Sequence, residues 1–463
     1  MKPTVKYFTD RNHEKKDLCN FLQGKLLTKT IMDINGMSGM GKTQLLTWAY
    51  HEAMRSQKSV AYYDFKNSTN TYQYVDVLRS IATSNIDRFA NTDYSEMKNL
   101  ANSISQKITI SDDDINDLSK AYNKALSNDL SSKRVLLFFD TTEEALPKTL
   151  EILDSQVLSQ HVNHGNFLVT FSGEKPLQWK TADIRKRRAT LPLNEFKQDE
   201  MVDMIDRLAT EKSIQTIDDE VLELIQYLSA GNPGIIYDSL HYLSDKFTRN
   251  SIDKKDCHGL VKHLYSTIVC EKILSQIGDL KIEDVDNLKL ISQIAMLRTV
   301  NLHSFRILVT KNFPDSFSQQ SAFYYDDVLK KIHKKSSLFY STDFRSGYVL
   351  SKCIRRIFQL NTLLTNSNNF NSFKQSILDY YKTMISKTTG IDQVNAIVEY
   401  FFTKYFTPPQ CFEMPEQNYR CFEDELNTII GSNHLKDERY EKEAHLICIK
   451  DAIENDEELK HLL

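Results

Sequence analysis

Glycine and proline are scarce in this chain of 463 residues, which contains 13 glycines and 9 prolines. A chain of this length with ordinary composition carries about 30 glycines and at least 20 prolines. Because both residues mark turns, their scarcity predicts few turns and a protein dominated by long helices. The shortage excludes all-β sandwiches, collagen-like repeats and flexible Gly/Ser-rich or Pro-rich linkers.

Cysteine is also sparse, with seven dispersed residues and no C-x-x-C pair. This odd number favours reduced thiols over a disulfide framework. The first residues contain no apolar segment typical of a secretion signal, and the strongest apolar run, residues 135–139, is too short to span a bilayer. The net charge of -4 gives no reason to expect an anionic membrane partner. We therefore expect a cytoplasmic protein without membrane contact.

Five apolar runs alternate with helical stretches through the first 200 residues. Continuous apolar strands of this kind predict a parallel sheet that is covered on both faces. Residues 67–133, between the second and third runs, are expected to form inserted helices. The predicted strands comprise residues 30–35, 59–66, 134–140, 166–171 and 189–193.

From residue 197 onward the pattern predicts helix after helix, interrupted by two short strands at residues 337–341 and 347–350. Helices followed by a small hairpin are the outline of a winged helix. The expected fold is an α/β nucleotide-binding domain with a parallel sheet, a P-loop NTPase, followed by mainly α-helical domains that include a winged helix. The expected domains are an ATPase domain (1–195), a helical lid (196–268), a winged-helix-like domain (269–362) and a C-terminal helical domain (363–463).

A phosphate-binding loop follows the first predicted strand, where three of the few glycines share a six-residue window. The segment matches G-x-x-x-x-G-K-[ST], in which glycines let backbone N–H groups surround phosphate oxygens. Lys42 is predicted to reach the β and γ phosphates, and the Thr43 hydroxyl is predicted to coordinate Mg²⁺. The predicted nucleotide contacts here are Gly36, Met37, Ser38, Gly39, Met40, Gly41, Lys42, Thr43 and Gln44.

An acidic residue ends the third predicted strand, as the second half of such a site requires. Asp140 is predicted to hold the Mg²⁺ through water. Glu143 and Glu144 follow, and either is a candidate to orient or deprotonate the attacking water. The chain contains no GTPase-type Asn-Lys-x-Asp sequence, so ATP and ADP are favoured over guanine nucleotides.

These motifs together resemble the STAND branch of AAA+ P-loop ATPases, which includes the NACHT and NB-ARC switch proteins. In that group the second acidic motif reads apolar residues, Asp, two further residues and then acids, as residues 138–144 do. Residues 7–14 are similar to the opening motif that lines the adenine pocket, which implies a nucleotide contact for Arg11. Gly231-Asn232-Pro233 is similar to the Gly-x-Pro motif, which implies that Pro233 packs near the adenine.

Three positions depart from the family pattern, and the first is Asp10, which replaces the glycine of the opening motif. Ser172 stands after the fourth strand where relatives usually place an arginine sensor, and Ser351 stands where many relatives carry a histidine that contacts ADP. The resemblance covers residues 5–360 and implies an ATP/ADP-controlled switch with slow hydrolysis, used in signalling, transcription control or antiviral defence. It further implies a homo-oligomer on activation and a separate effector protein.

Two basic clusters support an alternative, an AAA+ regulator or loader that binds DNA through its winged helix. The residues 185–188 precede the fifth strand and are candidates for an arginine finger toward a neighbour's nucleotide or for contact with nucleic acid, but a solvated loop is the favoured interpretation there. The second cluster precedes the hairpin, where a DNA-reading winged helix carries its charges. Nucleic acid is therefore a possible partner that is not favoured, and a small-molecule kinase is disfavoured by the long helical region. The second cluster comprises Lys330, Lys331, Lys334 and Lys335.

Overall fold

The computed structural model describes residues 11–26, 28–56, 58–67, 72–86, 94–246, 251–252, 256–273, 287–312, 314–317, 320–335, 339–340, 347–406, 408–412, 422, 425–426, 428–429, 439–456 and 458–459. The chain divides between residues 200 and 201 into two compact units, called unit 1 and unit 2 below. No helix in the described ranges has the length and apolar character that crossing a membrane requires.

Unit 1 contains a five-stranded sheet in the order β2-β3-β4-β1-β5, and every adjacent pair is parallel. The structure thus confirms the predicted parallel sheet. The second strand is shorter than predicted, because the chain turns into a 3-10 helix at Phe65–Asn67. The strands are β1 (Ile31–Asn35), β2 (Ser59–Asp64), β3 (Val135–Asp140), β4 (Phe167–Gly173) and β5 (Arg188–Pro192).

The described part of the segment between β2 and β3 is mainly helical, as predicted. Its third helix begins at a capping box, in which the Ser111 hydroxyl accepts a hydrogen bond from the Asp114 backbone N–H. The helices of unit 1 are α1 (Asn12–Leu22), α2 (Lys42–Arg55), α3 (Gln73–Ile86), α4 (Ser95–Ser105), α5 (Asp112–Ser132), α6 (Pro147–Ile152), α7 (Ser159–His161) and α8 (Ala182–Arg187).

Alternate residues of β3 enter two different apolar cores. Leu136 and Phe138 join the core that includes residues of α1 and α2. Leu137 and Phe139 join the core built with α3, α4 and α5. Because successive side chains of a strand point to opposite faces, helices cover the sheet on both sides and every residue of β3 is buried.

Unit 2 is mainly helical, and its first helix begins just before the division between the units. A short parallel pair of strands, β6 (Thr216–Ile217) and β7 (Ser251–Ile252), accompanies the helices. The helices are α9 (Gln198–Glu211), α10 (Asp219–Ser229), α11 (Pro233–Lys246), α12 (Cys257–Leu264), α13 (Asn287–Ile294), α14 (Leu302–Asn312), α15 (Pro314–Phe317), α16 (Ala322–Lys335), α17 (Lys352–Thr365), α18 (Ser367–Lys387), α19 (Gly390–Lys404) and α20 (Arg439–Glu454).

A small antiparallel sheet joins one strand that precedes α14 to two strands that follow α16, and the latter two form the predicted hairpin. Its strands β8 (Thr299–Val300), β9 (Phe339–Tyr340) and β10 (Tyr348–Leu350) are arranged in the order β8-β10-β9. The sequence analysis did not identify β8, which is only two residues long. The connection at residues 342–346 lies outside the described residues. The assignment as a winged helix and the four domain boundaries stay predictions.

Candidate nucleotide-binding site

The loop between β1 and α2 exposes the amino-terminal end of a helix. Gly41 precedes α2 with a φ of 85°, a left-handed conformation that side chains disfavour. Among the described residues, no side chain caps this helix end, and Thr43 in its first turn is exposed. Uncapped backbone N–H groups and the positive end of the helix dipole suit a bound anion. The local structure is that of a phosphate-binding loop.

Lys42 lies back over this loop. Its Nζ donates hydrogen bonds to the carbonyl oxygens of Gly36 and Met37, both at 2.8 Å. Burial lowers the pKa of Lys42, and nearby carboxylates act in the opposite direction. The loop therefore carries a partly buried ammonium group close to several acids. These acids are Glu143, Glu174 and Asp140.

Asp140 is held firmly at the carboxyl end of β3, where its side chain is almost entirely buried. Its Oδ2 accepts a hydrogen bond from the Tyr62 hydroxyl at 2.8 Å, and its Oδ1 accepts one from the Thr141 backbone N–H at 2.9 Å. Burial and the neighbouring carboxylate raise the pKa of Tyr62, so this phenol remains a donor. The two bonds fix the orientation of the carboxylate that is predicted to hold Mg²⁺.

Glu143 meets the end of β4. The Glu174 backbone N–H donates to Glu143 Oε2 at 3.3 Å. A Cβ added at Gly173 would lie only 1.9 Å from Thr142 Oγ1, so the absence of a side chain at this glycine permits the close approach. The Glu143 residue is exposed to solvent. Even so, desolvation of its carboxyl group by the surrounding protein raises the pKa. Burial and Glu143 raise the pKa of Glu174.

Glu174 is a residue of the site that the sequence analysis missed. It follows β4, and β4 lies between β1 and β3 in the sheet. The carboxyl ends of adjacent parallel strands meet at one sheet edge, where ligands of open α/β sheets bind. An acid just beyond the fourth strand was therefore a usable signal once the strand order was known.

Arg11 contacts the phosphate-binding loop directly. Its Nη2 donates to the Met40 carbonyl oxygen at 3.1 Å, and its Nη1 lies 2.9 Å from Glu14 Oε1. The guanidinium lies over the Phe196 ring, 4.7 Å from its centroid, and the residue is buried. The structure thus places Arg11 beside the loop, while its predicted contact with the nucleotide stays a prediction.

Three buried polar atoms near the loop and the strand ends make no hydrogen bond to the described residues. They are Asn35 Oδ1, Gln44 Oε1 and Ser172 Oγ. Burying such groups without hydrogen-bond partners costs free energy. Polar atoms of a ligand or water would supply the missing hydrogen bonds. The Asp140 carboxylate and the Thr43 hydroxyl are the hard oxygen ligands that Mg²⁺ prefers. The chemistry of the donor set fits a magnesium-bound nucleotide.

Two further predicted positions belong to unit 2. Pro233 is the first residue of α11, and Asn232 Oδ1 accepts a hydrogen bond from the Gly234 backbone N–H at 3.0 Å. Ser351 is fully buried before α17, where its Oγ lies 3.0 Å from Cys353 Sγ. The predicted role of Pro233 toward the nucleotide stays a prediction, whereas Ser351 is a departure from the family pattern for which no such role is predicted.

The basic clusters are partly compensated by acids. Arg188 Nε lies 2.9 Å from Asp33 Oδ2, an ion pair between β5 and β1. In α16, two lysines each pair with an aspartate four residues earlier: Lys330 with Asp326 and Lys331 with Asp327, both at 2.6 Å. The side chains of Lys334 and Lys335 lie outside the described residues. The described part of the chain contains no group of three or more metal-binding side chains.

Residues 7–170 match the family profile described as Nephrocystin 3, N-terminal. This match, about a third of the chain, lies within unit 1 and includes both the phosphate-binding loop and Asp140. Unit 1 combines a five-stranded parallel sheet with a phosphate-binding loop between β1 and α2, which is the arrangement of a P-loop nucleotide-binding domain. No curated protein matches the chain by sequence.

Several solved structures are similar to this chain at low identity. A Walker-type ATPase of Pyrococcus abyssi is 13% identical with a TM-score of 0.49, and the alignment covers 78% of this chain and 99% of that one. Cdc6p of Pyrobaculum aerophilum is 11% identical with a TM-score of 0.38, covering 78% and 96%. A STAND protein with a tetratricopeptide repeat sensor from Pyrococcus horikoshii is 12% identical with a TM-score of 0.34. That alignment covers 97% of this chain but 54% of the longer protein.

Proposed function

We propose that the chain is an ATP-binding molecular switch of STAND type, in which slow ATP hydrolysis controls oligomerisation or activation of a separate effector. The observation that supports this most strongly is the cluster of Lys42, Asp140 and Glu143 at an uncapped helix end. We further propose bacterial signalling or antiviral defence as its setting, on the resemblance to STAND proteins alone.

The residues have distinct roles in this proposal. The loop N–H groups and Lys42 bind the phosphates, while Thr43 and Asp140 hold Mg²⁺, which supplies positive charge to the β and γ phosphate oxygens. Tyr62 keeps the Asp140 carboxylate in place through its hydrogen bond. Glu143 orients the attacking water and accepts its proton, a role that the raised pKa of its carboxyl assists.

Nucleotide binding is the first test. Fluorescent ATP titrated into the full chain should bind in the presence of Mg²⁺, and Lys42→Ala should abolish that binding. Lys58→Ala serves as a control, because this partly buried lysine donates to the Leu22 carbonyl oxygen away from the loop. Normal ATP binding by Lys42→Ala would disprove the site assignment.

Hydrolysis separates the two candidate bases. Glu143→Gln should retain ATP and lower the hydrolysis rate by about 10²–10⁴-fold, the usual contribution of a general base. Glu144→Gln is the matched control, because the Glu144 carboxylate is exposed and is absent from the groups that act on Lys42. Equal losses in the two variants would refute the role of Glu143.

The switch itself is tested by oligomer size. Light scattering of the full chain should give a larger mass with ATP in the slowly hydrolysing Glu143→Gln variant than with ADP. A mass that is independent of the nucleotide would exclude a switch that acts through oligomerisation and would restrict the proposal to activation of a separate effector.

A further inference from the structure

Two buried cysteines from distant parts of the sequence meet in unit 2. Cys257 begins α12, and Cys411 lies in the segment after the Pro408-Pro409 pair. The two side chains lie beside each other, because each thiol is the largest influence on the pKa of the other. Both residues are buried, with exposures of 0% and 5%, and both are free cysteines.

The residues that follow the two cysteines in the sequence are also in contact with each other. The His258 imidazole stacks on the Phe412 ring, with centroids 5.4 Å apart and an interplanar angle of 21°. Two consecutive residues of one segment therefore touch two consecutive residues of the other. This double contact holds the thiols together, because sliding either segment would break the stack.

This contact makes the two sulfurs unequal. The neighbouring Cys257 thiol lowers the pKa of Cys411, and the neighbouring Cys411 raises that of Cys257. The Glu220 carboxylate disfavours a thiolate at both positions. The negative charge therefore resides more readily on Cys411, and the thiolate is the nucleophilic form of cysteine.

We propose that Cys257 and Cys411 are a redox-responsive pair that forms an intrachain disulfide with hydrogen peroxide as the oxidant. The Cys411 thiolate attacks one peroxide oxygen, the O–O bond breaks, and a sulfenic acid and hydroxide result. The Cys257 sulfur then attacks the sulfenic sulfur, the S–S bond forms, and its thiol proton leaves with the hydroxyl group as water. The two sulfurs lose two electrons in total, and the peroxide becomes one water and one hydroxide, which takes up the proton that Cys411 released on ionising.

The disulfide would link two of the domains predicted from the sequence. Cys257 falls in the predicted lid, residues 196–268, and Cys411 falls in the predicted C-terminal domain, residues 363–463. The bond would close a loop of about 150 residues, and such long loops gain most from a cross-link in the chain-entropy account. Oxidation would thus restrict movement between these parts, a regulation beyond the nucleotide switch proposed above.

The experiment oxidises the full-length protein with hydrogen peroxide under native conditions, followed by alkylation in denaturant and peptide mass spectrometry. We expect the loss of two of the seven thiols, one Cys257–Cys411 peptide, and full recovery after dithiothreitol. Absence of this peptide at a peroxide dose that oxidises the exposed Cys448 would overturn the proposal.

Variants identify the attacking sulfur. Cys257→Ser should leave Cys411 as a sulfenic acid that dimedone traps, whereas Cys411→Ser should give no trapped product at position 257. Cys353→Ser is the matched control, a buried cysteine of the same unit whose removal should leave disulfide formation unchanged. Equal trapping at positions 257 and 411 would overturn the assigned order of reaction. If a serine variant fails to fold, the wild-type peptide map still decides the main proposal.

Discussion

The two units place their charged groups differently. In unit 1, Lys42, Glu143 and Asp140 gather at the carboxyl ends of parallel strands, beside an uncapped helix. In unit 2, the Arg355 guanidinium is 1% exposed and pairs at 2.5 Å with Glu458, which also pairs with Arg356 at 2.9 Å. Unit 1 therefore offers charge to a ligand, whereas unit 2 neutralises charge within its own interior.

This difference distinguishes charged groups that serve ligand binding, in unit 1, from charged groups that stabilise the fold, in unit 2. The charged groups of the candidate nucleotide site are held by backbone atoms and by Tyr62, so a ligand can still reach them. The arginines of unit 2 instead connect remote parts of one unit: Arg356 also donates to the Tyr227 carbonyl oxygen at 2.7 Å and lies over the Tyr227 ring. We expect substitutions in the first set to alter activity and substitutions in the second set to alter stability.

The largest stability effect is expected at Arg355. Arg355→Met removes one partner from the buried Glu458 carboxylate and should lower the free energy of unfolding of unit 2 by about 3–5 kcal/mol. Hydrogen exchange of peptides from α17 and α19 measures this, because the Arg355 guanidinium also lies over the Phe402 ring. Nucleotide binding by unit 1 should change little.

Arg207→Met is the matched control for this substitution. Arg207 pairs with Asp203 at 2.7 Å in α9, but its side chain is half exposed. Exposed pairs of this kind contribute at most about 1 kcal/mol. A similar loss of stability in both variants would show that the burial of the Arg355 pair is not what stabilises unit 2.

Acidification should affect the two units in opposite directions. Burial raises the pKa of Asp33 to about 7, although Arg188 opposes the shift, so protonation stabilises unit 1 as the pH falls through 7 toward 3.8. Arg355 and Arg356 lower the pKa of Glu458 to about 2 despite its burial. That stabilisation is present above pH 4.5 and is lost only as the pH falls from 4.5 through 2.

Tryptophan fluorescence isolates the first effect, because both tryptophans, Trp48 and Trp179, belong to unit 1. Between pH 7 and 5.5 the contribution of Asp33 should stabilise unit 1 by up to about 2 kcal/mol, and Asp33→Asn should remove that gain. Glu458→Gln should leave the fluorescence transition unchanged in the same pH range. An equal gain in wild type and Asp33→Asn would contradict the role of Asp33.

Much of unit 1 can be predicted from local sequence. The contacts between residues that are distant in the sequence cannot, in either unit. The apolar run of β3 and the glycines at 36, 39 and 41 predict a parallel sheet and a phosphate-binding loop, because both depend on adjacent residues. The Tyr62–Asp140 bond spans 78 positions and the Arg355–Glu458 bond spans 103. Such pairs require the strand order or the helix packing, which no local pattern contains. Glu174 escaped prediction for the same reason.

Tyr62→Phe tests whether the hydrogen bond to Asp140 serves the metal. The variant keeps the ring but loses the hydroxyl donor, so the apparent affinity for Mg²⁺ in ATP hydrolysis should fall by about 10–100-fold, as for other groups that orient metal ligands. Tyr74→Phe is the control, because it removes a buried hydroxyl that contacts Ser119 elsewhere in unit 1. A lowered maximal rate with an unchanged Mg²⁺ requirement would contradict this positioning role.

The smallest effect is expected at the surface of α16. Lys330 and Lys331 are half exposed, and each already pairs with an aspartate one helical turn away. Replacing both lysines with alanine should therefore leave the free energy of unfolding almost unchanged, in contrast to Arg355→Met. The same variant tests the DNA-binding alternative, because phosphate contacts make affinity depend steeply on salt. Wild-type protein retained on DNA at low salt and released by this substitution would favour that alternative, since the paired aspartates would then have failed to neutralise the lysines.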